Sequence, residues 1–251
     1  MPLVAVVWLG VAAVGPIQQA PSDPAHTPTV APGPRTIGFD VSYPQCPWPE
    51  LPPGRFGIVG VNKGRPFTQN PCVDRLYAWA ARTGTPSLYI NVAFDPSYEK
   101  HVTTWCRANV PADLTKPRPR LAWSVGCSEA AYSLANAPGP AHWWWLDVET
   151  ANSWGGRKAN RTAITAAVAF LRRFASVPVG VYSTQRAWWL VTGFGQWNPP
   201  GATANWLGVD RNRTARTAAR DCGTGFSGMP VTLVQFYRHG GIGTWDANWS
   251  C

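Results

Sequence analysis

The chemistry most open to reading in this sequence sits in the string WWWLDVET at 143–150, where an apolar run ends on Asp147 and Glu149. In an extended strand, residues i and i+2 share a face, about 6.6–7 Å apart along the chain. Two carboxyls this close do not both ionise freely, so one pKa rises. A protonated acid beside an ionised one is the arrangement that glycoside hydrolysis needs. Taken alone, the pair is equally open to a structural role, capping the following helix or pairing with Arg157. Asp40, in GFDVS at 38–42, and Asp246, in WDAN at 245–248, stand at the ends of further strand-like runs. The chain has only 13 acidic residues against 22 basic ones, so four acids gathered at one place would be a concentrated use of them.

The elements that must position these acids read as strands alternating with helices. Apolar runs predict strands at 36–42, 56–62, 87–93, 142–148, 179–183, 205–209 and 231–237, with a short eighth at 242–246. Several are continuously apolar, as strands buried on both faces are. Helical periodicity is clearest at 160–174, where Ile164, Val168 and Leu171 fall in register, and at 72–82. Weaker helices are expected at 98–108, 128–137 and 184–191. Strand–helix alternation argues for an α/β fold with a parallel sheet. Helices thin out after the fifth strand, which favours an irregular TIM-like barrel in a single domain. An open doubly wound sheet is the second choice, and no G-x-G-x-x-G follows the first strand to support it. In a closed barrel, strands one and eight are neighbours. Asp40, Asp147, Glu149 and Asp246 then converge at the C-terminal mouth, where barrel enzymes carry their catalytic groups.

The remaining composition narrows the function classes. Residues 3–14 form an apolar run of signal-peptide length, although no Lys or Arg precedes it. The expected organisation is a signal peptide or N-terminal anchor at 1–20, a Pro-rich linker at 21–35 and a folded domain at 36–251. Six isolated cysteines (46, 72, 106, 127, 222 and 251) suggest disulfides and an oxidising compartment. They contain no C-x-x-C pair, and the four His show no ligand spacing, so no metal is expected. The net charge of +9 is spread without a basic block. It argues against a nucleic-acid partner and for attraction to anionic wall polymers. No G-x-S-x-G elbow or phosphate loop occurs. Fifteen tryptophans offer stacking faces for sugar rings. Trp48, Trp123, Trp154, Trp188, Trp206, Trp245 and Trp249 lie near strand ends or loops. Trp145 shares the side of Asp147 and Glu149, and Asn152 is placed to bind hydroxyls.

GFDVS at 38–42, LDVE at 146–149, GVYS at 180–183, VQFY at 234–237 and DAN at 246–248 together resemble glycoside hydrolase family 25, the lysozyme-type muramidases. The match is closer to secreted bacterial family-25-like domains, through PQC at 44–46, VNKGRPFTQNPC at 61–72 and WLDVETANSW at 145–154. The resemblance spans about 36–251. It implies a barrel of five β/α units followed by three strands. It implies Glu149 as general acid, Asp147 supporting the second step, and Asp40 and Asp246 as further carboxylates. Cleavage in that family is assisted by the substrate's own acetamido group, an exception to the two-carboxylate scheme. Tyr182, Gln235 and Tyr237, within the matching segments, join Trp145, Asn152, Trp154 and Trp206 as expected substrate-binding residues. The chain differs from the muramidases in a longer segment at 94–141, in its cysteines, and in YINVAFDP at 89–96.

The expected disulfides are Cys46–Cys72, Cys106–Cys127 and Cys222–Cys251. The first pair follows neighbouring strands, the second closes the long segment, and the third ties down the C-terminus. The expected function is a secreted or envelope-associated glycoside hydrolase acting as a monomer, without cofactor, on peptidoglycan or a related amino-sugar polymer. A barrel that binds carbohydrate without cleaving it is the alternative.

Overall fold

The computed structural model describes residues 35–84, 86–209, 214–240 and 243–251. The expected signal peptide, all but the last residue of the expected linker, and Ile242 lie outside the described residues. Eight strands close a barrel in chain order: β1 (Ile37–Val41), β2 (Gly57–Gly60), β3 (Ser87–Asn91), β4 (Trp144–Asp147), β5 (Val179–Ser183), β6 (Ala204–Gly208), β7 (Val231–Gly240) and β8 (Gly243–Ser250). Strands β1 to β7 pair in parallel. Strand β8 then runs antiparallel to both β7 and β1, so Asp40 lies directly opposite Asp246.

Alternation along the strands sorts the side chains into two cores. Ile58, Trp143, Trp145, Tyr182, Ala204, Trp206 and Leu233 pack together inside the barrel. Val41, Val59, Leu88, Ile90, Trp144, Leu146, Val148 and Val181 face outward, against the helices. The interior ring of Trp145 needs room from its neighbour: a Cβ on Gly180 would sit 2.1 Å from the indole.

The helices are α1 (Val73–Ala80), α2 (Thr104–Ala108), α3 (Pro117–Ala135), α4 (Arg157–Phe174), α5 (Gln185–Thr192) and α6 (Ala215–Ala218). Helix α4 buries Ile164, Ala167, Val168 and Leu171, one stripe of helical period. Helix α3 begins eleven residues before the expected start at 128. Its opening Pro-Arg-Pro-Arg reads as a breaker, yet proline is tolerated in a first turn, where the N–H has no partner in the helix. Helix α3 shows no single apolar stripe because it is buried on several sides. Gly126 packs so tightly on α4 that a Cβ would meet the Ala163 carbonyl at 2.0 Å. The expected helix at 98–108 is a 3-10 turn at 96–101 followed by α2. The expected eighth strand is longer, ending at Ser250.

The structure joins Cys46 to Cys72, Cys106 to Cys127, and Cys222 to Cys251. The second bridge fastens α2 to α3, so the long segment at 94–141 is a folded helical layer. The third ties the chain end to the segment after α6.

Candidate active site

A cleft of about 190 Å³ opens at the mouth of the barrel, lined by Asp40, Tyr89, Asp147, Glu149, Tyr182, Trp206, Gln235, Tyr237 and Asp246. All four acids singled out in the sequence meet here, brought by β1, by β4 and the loop after it, and by β8. Three expected substrate-binding residues from β5 and β7 (Tyr182, Gln235 and Tyr237) and one from β6 (Trp206) join them. Among the described residues, no group of three or more His, Cys, Asp or Glu is placed to hold a metal ion.

Each acid has its own setting. Asp40 is buried, and its Oδ2 accepts from Asn248 Nδ2 at 2.7 Å and Gln235 Nε2 at 3.1 Å. Gln235 in turn accepts from the Tyr182 hydroxyl at 2.7 Å, and Asn248 accepts from the Trp206 indole at 2.7 Å. These bonds fix the amide orientations and stabilise the charged form of Asp40. Burial and the like charge of Asp246 outweigh them and hold Asp40 well above the usual carboxylate range. Asp147 is also buried. Its Oδ2 accepts from Asn91 Nδ2 in a short bond, and its Oδ1 has no partner among the described residues. Burial, then the charges of Glu149 and Asp40, push Asp147 well above the usual range. Glu149 is partly exposed, and burial raises it too. Asp147 and Glu149 therefore titrate as a linked pair that holds a proton beyond the ordinary carboxylate range. Burial keeps the phenols of Tyr89 and Tyr182 neutral.

The loop after β4 explains the string 145–154. Trp154 donates its indole N–H to the Glu149 carbonyl at 2.7 Å. Asn152 donates its amide to the Val92 carbonyl at 3.1 Å, and Phe94 N–H bonds the Ser153 carbonyl at 2.8 Å. Ser183 Oγ holds the Val148 carbonyl at 2.7 Å. Asn152 and Trp154 thus brace the backbone that carries Glu149, and neither is among the residues lining the cleft. Trp145 is fully buried below the cleft, stacked on Trp143 with ring centres 5.1 Å apart. It supports the floor and cannot reach a sugar. Of the loop tryptophans, Trp206 alone lines the cleft. Trp188 is buried against Phe226, and Trp48 packs edge-on to Trp245.

Three site residues escaped the sequence reading: Tyr89 in the lining, Asn91 on Asp147, and Asn248 on Asp40. All are neutral side chains that share the inward face of β3 or β8. The inward alternation of Tyr89 and Asn91 was the available signal.

A barrel of parallel strands closed by one antiparallel strand, its helices reduced after the fifth, with acids clustered at its mouth, defines the fold of the family 25 glycoside hydrolases. Among solved structures, the chain is similar to the muramidase from Acremonium alcalophilum, at 18% identity and a TM-score of 0.60 over 86% of this chain and 94% of that one. It is similar to a family GH25 lysozyme from Aspergillus fumigatus, at 15% identity and 0.56 over 87% and 94%. It is also similar to the bacterial lysozyme from Streptomyces coelicolor, at 18% identity and 0.55 over 84% and 90%. No family model matches the sequence, and no curated protein does. At these identities the likeness establishes the fold.

Proposed function

We propose that this protein is a secreted glycoside hydrolase that cleaves peptidoglycan or a related amino-sugar polymer, with Glu149 as the general acid. The observation that carries the reading is the convergence of Asp40, Asp147, Glu149 and Asp246 on one barrel-mouth cleft, with Glu149 the partly exposed member of a linked carboxyl pair. The similar solved structures are muramidases and lysozymes, which agrees with it. Three disulfides suit an oxidising exterior.

In this reading Glu149 gives its proton to the glycosidic oxygen as the bond from that oxygen to C1 breaks. The acetamido oxygen of the bound sugar forms a bond to C1 from the opposite side. Asp147, held by Asn91, faces the positive charge that develops on the sugar and its acetamido group. Water then attacks C1, Glu149 takes the water's proton, and the acetamido oxygen leaves. Asp40 anchors Gln235, and the Gln235–Tyr182 pair fixes the wall around the sugar. Tyr89 and Tyr237, half-buried at the mouth, supply ring faces for stacking, and the buried Trp206 supports Tyr89 from below.

The test is incubation of the purified protein with cell-wall glycan, followed by assay of reducing ends and mass spectrometry of the fragments. Fragments carrying new reducing amino sugars are expected. Binding to the glycan with no new reducing ends would overturn the hydrolase reading and leave a carbohydrate-binding barrel.

A further inference from the structure

A second cavity lies away from the four acids and has the opposite character. It measures about 700 Å³ and lies between loop 111–114, α3, the first turns of α4 and the segment after α5. Arg157, Lys158 and Arg161 line it, against one acid, Asp113. None of the three cations forms an ion pair with a described acid. Trp123, Phe194 and Trp197 line the same groove. The Arg157 guanidinium lies 5.8 Å from the Phe194 ring centre, and that of Arg161 lies 5.1 Å from Trp197. Arg161 is further held by its Nε, which donates to the Thr192 carbonyl at 2.7 Å. Phe194 is 72% exposed, so folding leaves its ring uncovered beside the cations. The first turn of the 18-residue α4 contains no acid, so the helix dipole adds to the positive potential.

The combination selects a ligand class. A neutral sugar would use the rings and leave three cations unpaired. A small inorganic anion would use the cations and leave the rings exposed. A nucleic acid needs a positive path along its backbone, longer than two turns of one helix. A sugar chain bearing negative groups uses both features: ring faces stack on its C–H face, and the cations meet its carboxylates or phosphates. We propose that this groove is a second binding site, for a glycan chain carrying carboxylate or phosphate groups, separate from the acidic cleft.

The two sites divide the surface by charge. The acids at the barrel mouth repel a polyanion, whereas the flank of α4 attracts it. Helix α4 follows β4, so the groove's cations stand toward the barrel end that carries Glu149. Eight Cα–Cα steps join Glu149 to Arg157, which places their Cα atoms at most about 29 Å apart. A polymer held in the groove therefore anchors the protein to an anionic matrix with the cleft still open. The site does not depend on hydrolysis and would serve a non-cleaving barrel equally.

The test measures binding of fluorescently labelled oligogalacturonate, a carboxylated sugar chain, to the full chain by anisotropy. Short-chain polyphosphate and an uncharged cello-oligosaccharide serve as competitors. Wild-type protein is expected to bind the oligogalacturonate and to lose it as salt rises toward about 1 M. The double variant Arg157→Glu/Lys158→Glu, at two exposed positions, should weaken binding at least about tenfold with an unchanged melting temperature. Phe194→Ala should weaken the sugar probe and leave polyphosphate binding unaffected. Unchanged binding by the charge-reversed protein would overturn the proposal. Equal competition by cello-oligosaccharide would reduce the groove to a neutral-sugar site. Polyphosphate binding as tight as that of the sugar, with both probes indifferent to Phe194→Ala, would reduce it to a plain anion site. Either of these results also overturns the proposal.

Discussion

The bond from Asn91 to Asp147 has a consequence that differs with pH. Asn91 Nδ2 is the donor to a buried carboxyl whose other oxygen has no partner among the described residues. Asn91 also meets Asn62, but through its own backbone: its N–H donates to Asn62 Oδ1, and its carbonyl accepts from Asn62 Nδ2. Asn91→Leu keeps the branching of the side chain and those backbone bonds and replaces the amide, the donor to Asp147, by methyl groups. A hydrogen bond between neutral groups contributes about 0.5–1.5 kcal/mol, and one to a charged group about 1.5–3 kcal/mol. The variant should therefore lose about 0.5–1.5 kcal/mol in acid, where Asp147 is protonated, and about 1.5–3 kcal/mol once Asp147 is ionised. The Asn91 bond lowers the pKa of Asp147, so its loss moves that titration upward. Urea unfolding across the pH range measures the first effect. Carbon-13 NMR of labelled aspartate carboxyls measures the second. A stability loss that is the same at every pH, with an unmoved Asp147 titration, would refute the placement of this bond.

Further outcomes follow from other named contacts. Glu129 is a buried carboxyl on α3 whose Oε2 accepts from Ala93 N–H at 3.3 Å, and burial pushes it well above the usual range. A raised folded-state pKa contributes stability that is present below the unfolded value and lost as pH rises through the folded one. Glu129→Gln should flatten that dependence in calorimetry and melt above wild type at about pH 8, by about 2–4 °C for each kcal/mol recovered. Replacing Cys222 and Cys251 by Ser opens a loop with a sequence separation of 29 and should cost about 3–4 kcal/mol in urea unfolding. Gly126→Ala drives a Cβ into the Ala163 carbonyl and should cost about 1–3 kcal/mol or more by the same assay, because backbone cannot step aside.

The barrel was legible because buried strands are apolar along their whole length: β5 falls at the expected 179–183, and β3 and β4 lie inside their expected runs. Asp147 and Glu149 were legible because charge is scarce in this chain and marks where it is used. Helix α3 was not, since its proline-rich start imitates a breaker and its many-sided burial erases the stripe that identifies a helix. The bracing bonds of Asn152 and Trp154 were not legible for another reason. A loop residue that ties backbone and one that touches a sugar have the same polar or aromatic composition, and only the fold shows which backbone groups lie within reach. Asn91 and Asn248 look like ordinary strand residues until register places them against Asp147 and Asp40. The groove beside α4 had no sequence signature, because its lining comes from segments far apart in the chain.

The central claim is that Glu149 supplies the proton for glycosidic cleavage. Glu149→Gln keeps the side chain's shape, and the Trp154 brace acts on the backbone carbonyl, so the loop should survive the change. The decisive measurement is the initial rate of reducing-end release from cell-wall glycan by wild type and Glu149→Gln at equal concentration, with melting temperatures matched. The predicted result is a loss of about 10²–10⁴-fold, the usual contribution of a general acid, with glycan binding retained. An active wild type whose Glu149→Gln form turns over at the same rate would contradict the assignment.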